Sequence, residues 1–170
     1  MRSLFKRTFR KHARDSWNEE TWRIHRYVYA KLTERVDEQI GTVLNGLEHG
    51  PHADNTVVIF TSDHGDHDGS HKLEHKTALY SEAVEVPFIM SWKDRLPQGK
   101  VITQIVNNGL DLFPTVCDIT GAEIPKNLQS NLKGESLVDL AKGAENSERS
   151  FVPVESEVGR ALWGTDWAYC

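Results

Sequence analysis

One run of β-branched and apolar residues, 56–61, ends abruptly in the polar sequence Ser62-Asp63-His64-Gly65. Such a run is typical of a buried strand, and open α/β sheets bind ligands at the carboxyl ends of their strands. Asp63 offers anionic oxygen and His64 a neutral nitrogen, a pair that suits a divalent metal. Gly65 lets the chain turn there without a side chain in the way. The sequence therefore predicts a strand that carries a candidate metal site at its carboxyl end.

Helical and strand-like segments alternate along the chain. Ser16 and Glu19 have the spacing of a capping box, and apolar residues then recur every three or four positions up to Gly50-Pro51, which predicts an amphipathic helix. These apolar positions are Tyr29, Leu32, Val36, Ile40, Val43 and Leu47. The other predicted elements are strands at 86–91, 151–155 and 167–170, a short strand or extended segment at 101–106, and a helix at 110–120 with Pro114 in its first turn. This alternation predicts an α/β fold with a mainly parallel sheet flanked by helices.

Net charge and hydropathy argue against two broad classes of protein, those that bind nucleic acids and those that span membranes. The net charge of −5 argues against general nucleic-acid binding, and no apolar run approaches the ~20 residues of a membrane span. The first 14 residues hold six basic and no acidic side chains, so residues 1–18 are predicted to be a solvated basic arm before a domain at 19–170. No apolar segment follows the basic residues, so no secretory signal is expected. The chain is expected to be soluble, in the cytoplasm or the periplasm.

Several motifs occur together in the order found in one enzyme family. The Ser62-Asp63-His64-Gly65 sequence is followed by a glycine–histidine stretch, a lysine, a tyrosine and a Val-Pro strand, and the helix before it has a Tyr…Val-Asp-x-x-Ile-Gly pattern. The matching segments are His25–Gly41, Ser62–Asp66, Gly69–His71, Lys76, Tyr80, Val86–Ile89, Asp111–Thr115 and Gly134–Leu137. This arrangement resembles the sulfatase family, in particular arylsulfatases of the alkaline phosphatase superfamily. The resemblance implies an alkaline-phosphatase-like fold, of which residues 19–170 would form a part.

The resemblance assigns roles to four residues. It implies that Asp63 and His64 bind a divalent metal, Ca²⁺ or Mg²⁺, and that Lys76 and His71 are catalytic residues which contact the sulfate group. The implied substrate is a small sulfate ester or a sulfated sugar. From the residues alone, Asp63 would serve equally well to cap a turn, and most lysines and histidines of this kind are solvated.

The spacing of His64, His67, His71 and His75 leaves a second metal hypothesis open. On a helix these histidines would form one stripe able to bind Zn²⁺. Gly65, Asp66 and Gly69 argue against a regular helix here. Asp66 and Asp68 are instead expected to form turns or to accept hydrogen bonds from groups around the metal rather than to bind it. Tyr80 and Glu82 are expected to anchor the loop to the sheet.

The chain departs from the family pattern in its catalytic nucleophile. Sulfatases carry a C/S-x-P-S-R motif whose first residue becomes formylglycine, but neither Cys117 nor Cys170 is followed by these residues. The two aspartates that the family supplies from its first strand also have no counterpart before residue 20. We therefore expect weak metal binding and negligible turnover from this chain alone.

Two other functions fit the same motifs. A phosphate or phosphonate ester hydrolase of the same superfamily would use the same strand and metal pair. A non-catalytic remnant would act as an interaction module, and an exposed sheet edge would then favour self-association.

Overall fold

The computed structural model describes residues 16–76, 78–144, 149–156 and 159–170. In chain order its helices are α1 (Glu19–Glu48), α2 (Ser81–Val84), α3 (Asn108–Thr120), α4 (Lys126–Gln129) and α5 (Val138–Lys142). Its strands are β1 (Val57–Thr61), β2 (Phe88–Trp92), β3 (Val152–Ser156), β4 (Gly159–Trp163) and β5 (Ala168–Tyr169). Short 3-10 turns lie at Ala53–Asn55 and Ser70–Lys72. The α/β class is confirmed, whereas most of the predicted basic arm lies outside the described residues.

The strand pairs differ from the prediction in direction. β1 pairs with β2 in antiparallel register, with Ile59 opposite Met90, and β4 pairs antiparallel with β5 in a sheet of order β3-β4-β5. The expected parallel pairing is therefore not found among the described strands. An apolar run predicts a strand but not its neighbour's direction, which depends on the connection. Between β1 and β2 the described residues form one α-helix, the four-residue α2, which is too short for the usual parallel crossover.

Two compact units make up the described chain. The first comprises the described residues up to Asp54 together with His64–Glu85, Ser156 and Gly159. The second comprises Asn55–Asp63, Val86–Glu155 and Arg160–Cys170. The single domain at 19–170 stays a prediction. None of the described helices combines the length and the apolar character that a membrane crossing requires.

Helix α1 begins at a different cap from the one predicted. Its N-cap is Asn18, whose side-chain oxygen accepts a hydrogen bond of 2.9 Å from the Thr21 backbone N–H. Asparagine and serine cap helices about equally well, so the spacing of Ser16 and Glu19 was an insufficient guide. The helix buries no side chain, and its predicted apolar face is largely solvated: Val43 is 71% exposed and Leu32 57%.

Helix α3 contains its proline well inside the helix. Pro114 is the seventh residue of α3 rather than a first-turn residue, because the helix starts two residues earlier than predicted, behind the N-cap Asn107. Proline has no N–H, so the carbonyl four residues earlier, that of Leu110, has no helical donor. Gly134 packs against this carbonyl so closely that an added Cβ would lie 1.8 Å from its oxygen.

A buried ion pair fixes the first turn of α3. Asp111 is fully buried, and Arg149 contacts both of its carboxylate oxygens, at 2.5 and 2.9 Å. The backbone N–H groups of Asn107 and Glu135 donate to the same carboxylate, at 2.7 and 3.0 Å. All these donors converge on one side chain, so Asp111 joins the helix to two later segments of the chain.

The remaining polar contacts of α3 reach the segment after Gly134. Thr115 is fully buried and donates to the Asp111 carbonyl at 2.6 Å, while its oxygen accepts from the Leu137 N–H at 2.9 Å. Ser136 donates to Asp118 at 2.5 Å. Two of the motifs on which the sequence resemblance rests, 111–115 and 134–137, therefore pack against each other and serve the fold.

Candidate functional site

The carboxyl end of β1 is held in place by α3. The Ser62 carbonyl accepts a hydrogen bond from the side-chain amide of Asn108, the first residue of α3. Asp63 follows and is exposed. The structure therefore places this carboxylate at the strand end where the sequence predicted it.

The ring of His64 has a defined tautomer. Its Nδ1 lies 2.8 Å from the Gly65 carbonyl oxygen, which can only accept, so Nδ1 carries the proton and Nε2 the lone pair. Histidines that bind metals commonly donate their other N–H to a carbonyl in this way. The donor chemistry of Asp63 and His64 therefore fits a divalent cation.

Gly65 lies where the structure has no room for a side chain. Its N–H donates to the Ala83 carbonyl at 2.9 Å, and an added Cβ would lie 2.0 Å from the Glu82 carbonyl oxygen. The chain of residues 64–66 therefore runs directly against α2. This confirms the prediction that the chain can turn at Gly65 because no side chain is in the way.

The loop from 66 to 76 is irregular and contains several left-handed residues. Asp66 accepts from the Asp68 N–H at 2.8 Å, the turn geometry expected for it. Backbone φ is positive at Asp68, His71, Lys72 and His75. No regular helix can hold such residues, so the histidines do not form the helical stripe that a zinc site of that kind needs. Among the described residues no three His, Cys, Asp or Glu side chains group into a metal site.

Asp68 ties this loop to α1. Its carboxylate lies 3.6 Å from the His25 ring and 3.7 Å from the Arg26 guanidinium. Burial raises the pKa of Asp68, and Asp66 raises it further, while the charges of His25 and Arg26 lower it. A partly desolvated polar contact therefore helps to join the loop to the helix.

His67 is the loop residue that sequence reasoning missed. Its ring is 1% exposed, and Nδ1 bonds to the His75 carbonyl. The ring also meets Tyr80 edge to face, with centroids 5.9 Å apart. An alternation of histidines gives no signal for which one is buried, so only the fold reveals that His67 supports the loop.

The two predicted catalytic residues differ in their surroundings. His71 stacks on Tyr80, with ring centroids 3.9 Å apart, and its Nε2 lies 3.4 Å from a Glu82 carboxylate oxygen. Lys76 is exposed at the end of the loop. These contacts join His71 to Tyr80 and Glu82. The anchoring of the loop to the sheet by these two residues and the catalytic roles of His71 and Lys76 stay predictions.

Comparisons with known proteins agree on one family. A family model described as Sulfatase matches residues 6–122. The Delta 4,5-hexuronate-2-O-sulfatase of Bacteroides thetaiotaomicron is 32% identical over 155 residues, which cover 90% of this chain and 30% of the relative.

Solved structures give the same result for the fold. A putative sulfatase from Bacteroides thetaiotaomicron matches with a TM-score of 0.76 and 30% identity, covering 88% of this chain and 34% of that one. A phosphonate monoester hydrolase from Silicibacter pomeroyi matches with a TM-score of 0.73 and 30% identity, covering 80% of this chain and 26% of that one. The alkaline-phosphatase-like fold is therefore confirmed, and the chain spans about a third or less of the length of these proteins.

Proposed function

The chain belongs to the sulfatase family, and on that premise we propose that it supplies part of the metal- and sulfate-binding site of a sulfate ester hydrolase. The observation that carries the proposal is the pair Asp63 and His64 at the end of β1, with the His64 Nδ1 proton held by the Gly65 carbonyl. This tautomer leaves Nε2 as the nitrogen that binds a cation.

Asp63 and His64 would hold Ca²⁺ or Mg²⁺ together with further oxygen ligands. The bound cation would supply charge that polarises sulfate oxygens. Asp63 contributes the anionic oxygen, and Gly65 lets the chain after His64 pass the Glu82 backbone, where a side chain would not fit.

Lys76 and His71 would contact the sulfate group itself. An ammonium group pairs with an anionic oxygen, and Lys76 is exposed and available to do so. His71 presents an imidazole that can donate a proton to the oxygen of the departing alcohol. These roles require the nucleophile that attacks the sulfur to come from outside the residues assigned here, since this sequence has no C/S-x-P-S-R motif.

A sulfated sugar is the substrate class we favour. The relative from Bacteroides thetaiotaomicron is named a hexuronate-2-O-sulfatase, and it aligns with 90% of this chain. A small aromatic sulfate ester would use the same four residues.

Isothermal titration with Ca²⁺ and with Mg²⁺ tests the metal pair. We expect weak binding by the full chain, with Kd about 0.1–1 mM, the weak end of the range of protein calcium sites. Binding by Asp63→Ala should be at least about tenfold weaker because the anionic ligand is lost. Asp139→Ala removes a carboxylate that is 83% exposed and serves as the matched control. Equal heats from all three proteins would exclude this pair as a cation site.

Phosphonate ester hydrolysis is the second candidate, favoured by the likeness to the phosphonate monoester hydrolase. Both reactions transfer a tetrahedral anionic group, so the same residues would serve. The two candidates can be compared by adding inorganic sulfate or methylphosphonate to the Ca²⁺-loaded chain. The readout is the nuclear magnetic resonance signals of Lys76 and His71. Tighter binding of methylphosphonate would favour the second candidate.

An interaction role is the third candidate, and it would act through a second copy of the chain. Phe60 of β1 and Ile89 of β2 face each other across the strand pair, 41% and 57% exposed. Within the described residues this sheet has only two strands, so each offers an edge that another strand can pair with. We propose that two copies associate along this apolar, two-stranded surface.

Light scattering across a concentration series measures that association. We expect a concentration-dependent dimer that Ile89→Lys weakens about tenfold, because a lysine on a strand surface opposes pairing. Ser91→Lys adds the same charge on the same face of β2 and removes no apolar group, so it should weaken the dimer less. A monomer at every concentration would remove this candidate.

A further inference from the structure

We propose that Glu82 is a positioning residue for His71, holding the imidazole against Tyr80 so that Nδ1 is the ring atom presented to the sulfate group. The inference rests on the proposed function only for the identity of the group that Nδ1 meets. The orientation of the ring follows from contacts among residues of the first unit.

Two contacts restrict the His71 ring in different ways. The Tyr80 ring lies against its face at 3.9 Å between centroids, with only 15° between the planes. The Glu82 carboxylate lies at its edge, 3.4 Å from Nε2. Stacking alone would allow the ring to turn over, whereas the carboxylate selects the orientation in which Nε2–H points to it. The other nitrogen, Nδ1, then faces away from Glu82.

Tyr80 is itself supported from the loop. The buried ring of His67 meets it edge to face at an interplanar angle of 86°, a favourable aromatic geometry. The His67 Nδ1–H bonds to the His75 carbonyl, which prevents that ring from turning. A buried, anchored ring therefore backs the surface on which His71 stacks.

The charge of Glu82 is maintained by its surroundings. The pKa of Glu82 is lowered mainly by the hydrogen bond from its own backbone N–H, and also by Ser70 and by the charges of His71 and His67, against the opposing effect of burial. A carboxylate with a lowered pKa stays ionised throughout the neutral range. Glu82 can then accept from Nε2–H in the imidazolium form of His71, in which Nδ1 also carries a proton that it can donate to the sulfate group.

The backbone at His71 is strained where this ring is held. His71 has φ 56° and ψ 20°, inside the Ser70–Lys72 turn, and Lys72 has φ 55°. Left-handed conformations of such residues persist only where the surrounding structure enforces them, and they cluster at functional sites. The strained backbone of His71 therefore agrees with an imidazole ring that is held in one orientation for a function.

Nuclear magnetic resonance of the full chain with labelled histidine tests the inference. In the wild type the Tyr80 ring should displace the chemical shifts of the His71 ring protons, and these protons should show close contacts to that ring. Glu82→Ala should move these signals to the positions of a mobile histidine, and Glu82→Gln, which keeps an acceptor, should retain part of the displacement. Glu85→Ala removes the neighbouring exposed carboxylate and should change nothing.

Acidification gives a second readout on the unaltered chain. The displaced His71 signals should persist at neutral pH and collapse as Glu82 is protonated, at a pH below the usual range of a glutamate, since its pKa is lowered. His71 signals that are the same in wild type and Glu82→Ala would overturn the inference. A second combination of results would also overturn the inference: Glu82→Ala loses the signals of the whole loop, while Glu82→Gln is indistinguishable from wild type. The charge of Glu82 would then have no effect on the orientation of His71.

Inorganic sulfate separates this inference from the proposed function. Where the site binds sulfate, Glu82→Ala should weaken its effect on the His71 Nδ1 signal about two- to fivefold, as for an exposed ion pair. Ring signals that respond to Glu82 while sulfate causes no change would support the positioning role and count against the sulfate site.

Discussion

Alanine at position 134 is expected to destabilise the second unit by about 3 kcal/mol or more, the upper part of the range for overpacked sites. The added Cβ would lie 1.8 Å from the Leu110 carbonyl oxygen and 2.4 Å from its carbon. Both are backbone atoms inside α3, so neither can rotate away as a side chain would. Either the 134–137 segment or the helix must shift, and the hydrogen bonds that join them would be lost.

Chemical denaturation of Gly134→Ala beside Gly41→Ala measures this effect. Gly41 lies inside α1 with nothing within 4 Å of an added Cβ, so alanine there should stabilise the helix by about 0.5–1 kcal/mol through its higher helix propensity. The same chemical change should thus give opposite signs at the two positions. A loss below about 1 kcal/mol at position 134 would show that the close approach to α3 does not exist in solution.

Removal of the Asp111 carboxylate should cost about 3–5 kcal/mol, the range for breaking one side of a buried ion pair. In Asp111→Ala, the guanidinium of Arg149, 11% exposed, loses both of its contacts with the Asp111 carboxylate and keeps the longer contact with Glu135 at 3.4 Å. The backbone N–H groups of Asn107 and Glu135 lose their acceptor as well. One substitution therefore removes the bidentate partner of a largely buried cation and the acceptor of two backbone amides.

Arg149→Met is the informative companion to Asp111→Ala. It removes the cation but leaves Asp111 with its two backbone donors, so it should cost less. Asp139→Ala breaks an exposed pair with Lys142 at 3.7 Å and should stay within about 0.5 kcal/mol. A loss for Asp111→Ala no larger than that for Asp139→Ala would contradict the buried ion pair.

The elements with strong local signals were predictable from the sequence. The apolar run 56–61 correctly predicted the strand β1, and the apolar residues at every third or fourth position correctly predicted the helix α1. The spacing of apolar residues differs between strands and helices, so each pattern indicates its own type of element. Helix starts were less certain: Asn107 caps α3 two residues before the predicted start, and Pro114 therefore falls deeper in the helix. Local patterns do not specify the direction of a neighbouring strand, so the antiparallel pairing of β1 with β2 was not foreseen.

The candidate site was predictable in composition but not in its supporting contacts. Asp63 and His64 follow from a strand ending in polar residues. Asp111 and Arg149 are 38 positions apart in the chain, and no local feature of either predicts their pairing. His67 likewise has no sequence signal that separates it from the exposed His71.

The solvated apolar face of α1 has a thermodynamic consequence for the protein. The heat capacity change on unfolding comes mainly from apolar surface that becomes hydrated, about 12–15 cal/mol/K per residue in ordinary globular proteins. In α1 that surface is already hydrated in the folded state, since none of its 30 residues is buried. Melting this helix therefore adds little to the heat capacity change, and the stability curve of the chain should be flatter with temperature than its length alone would indicate.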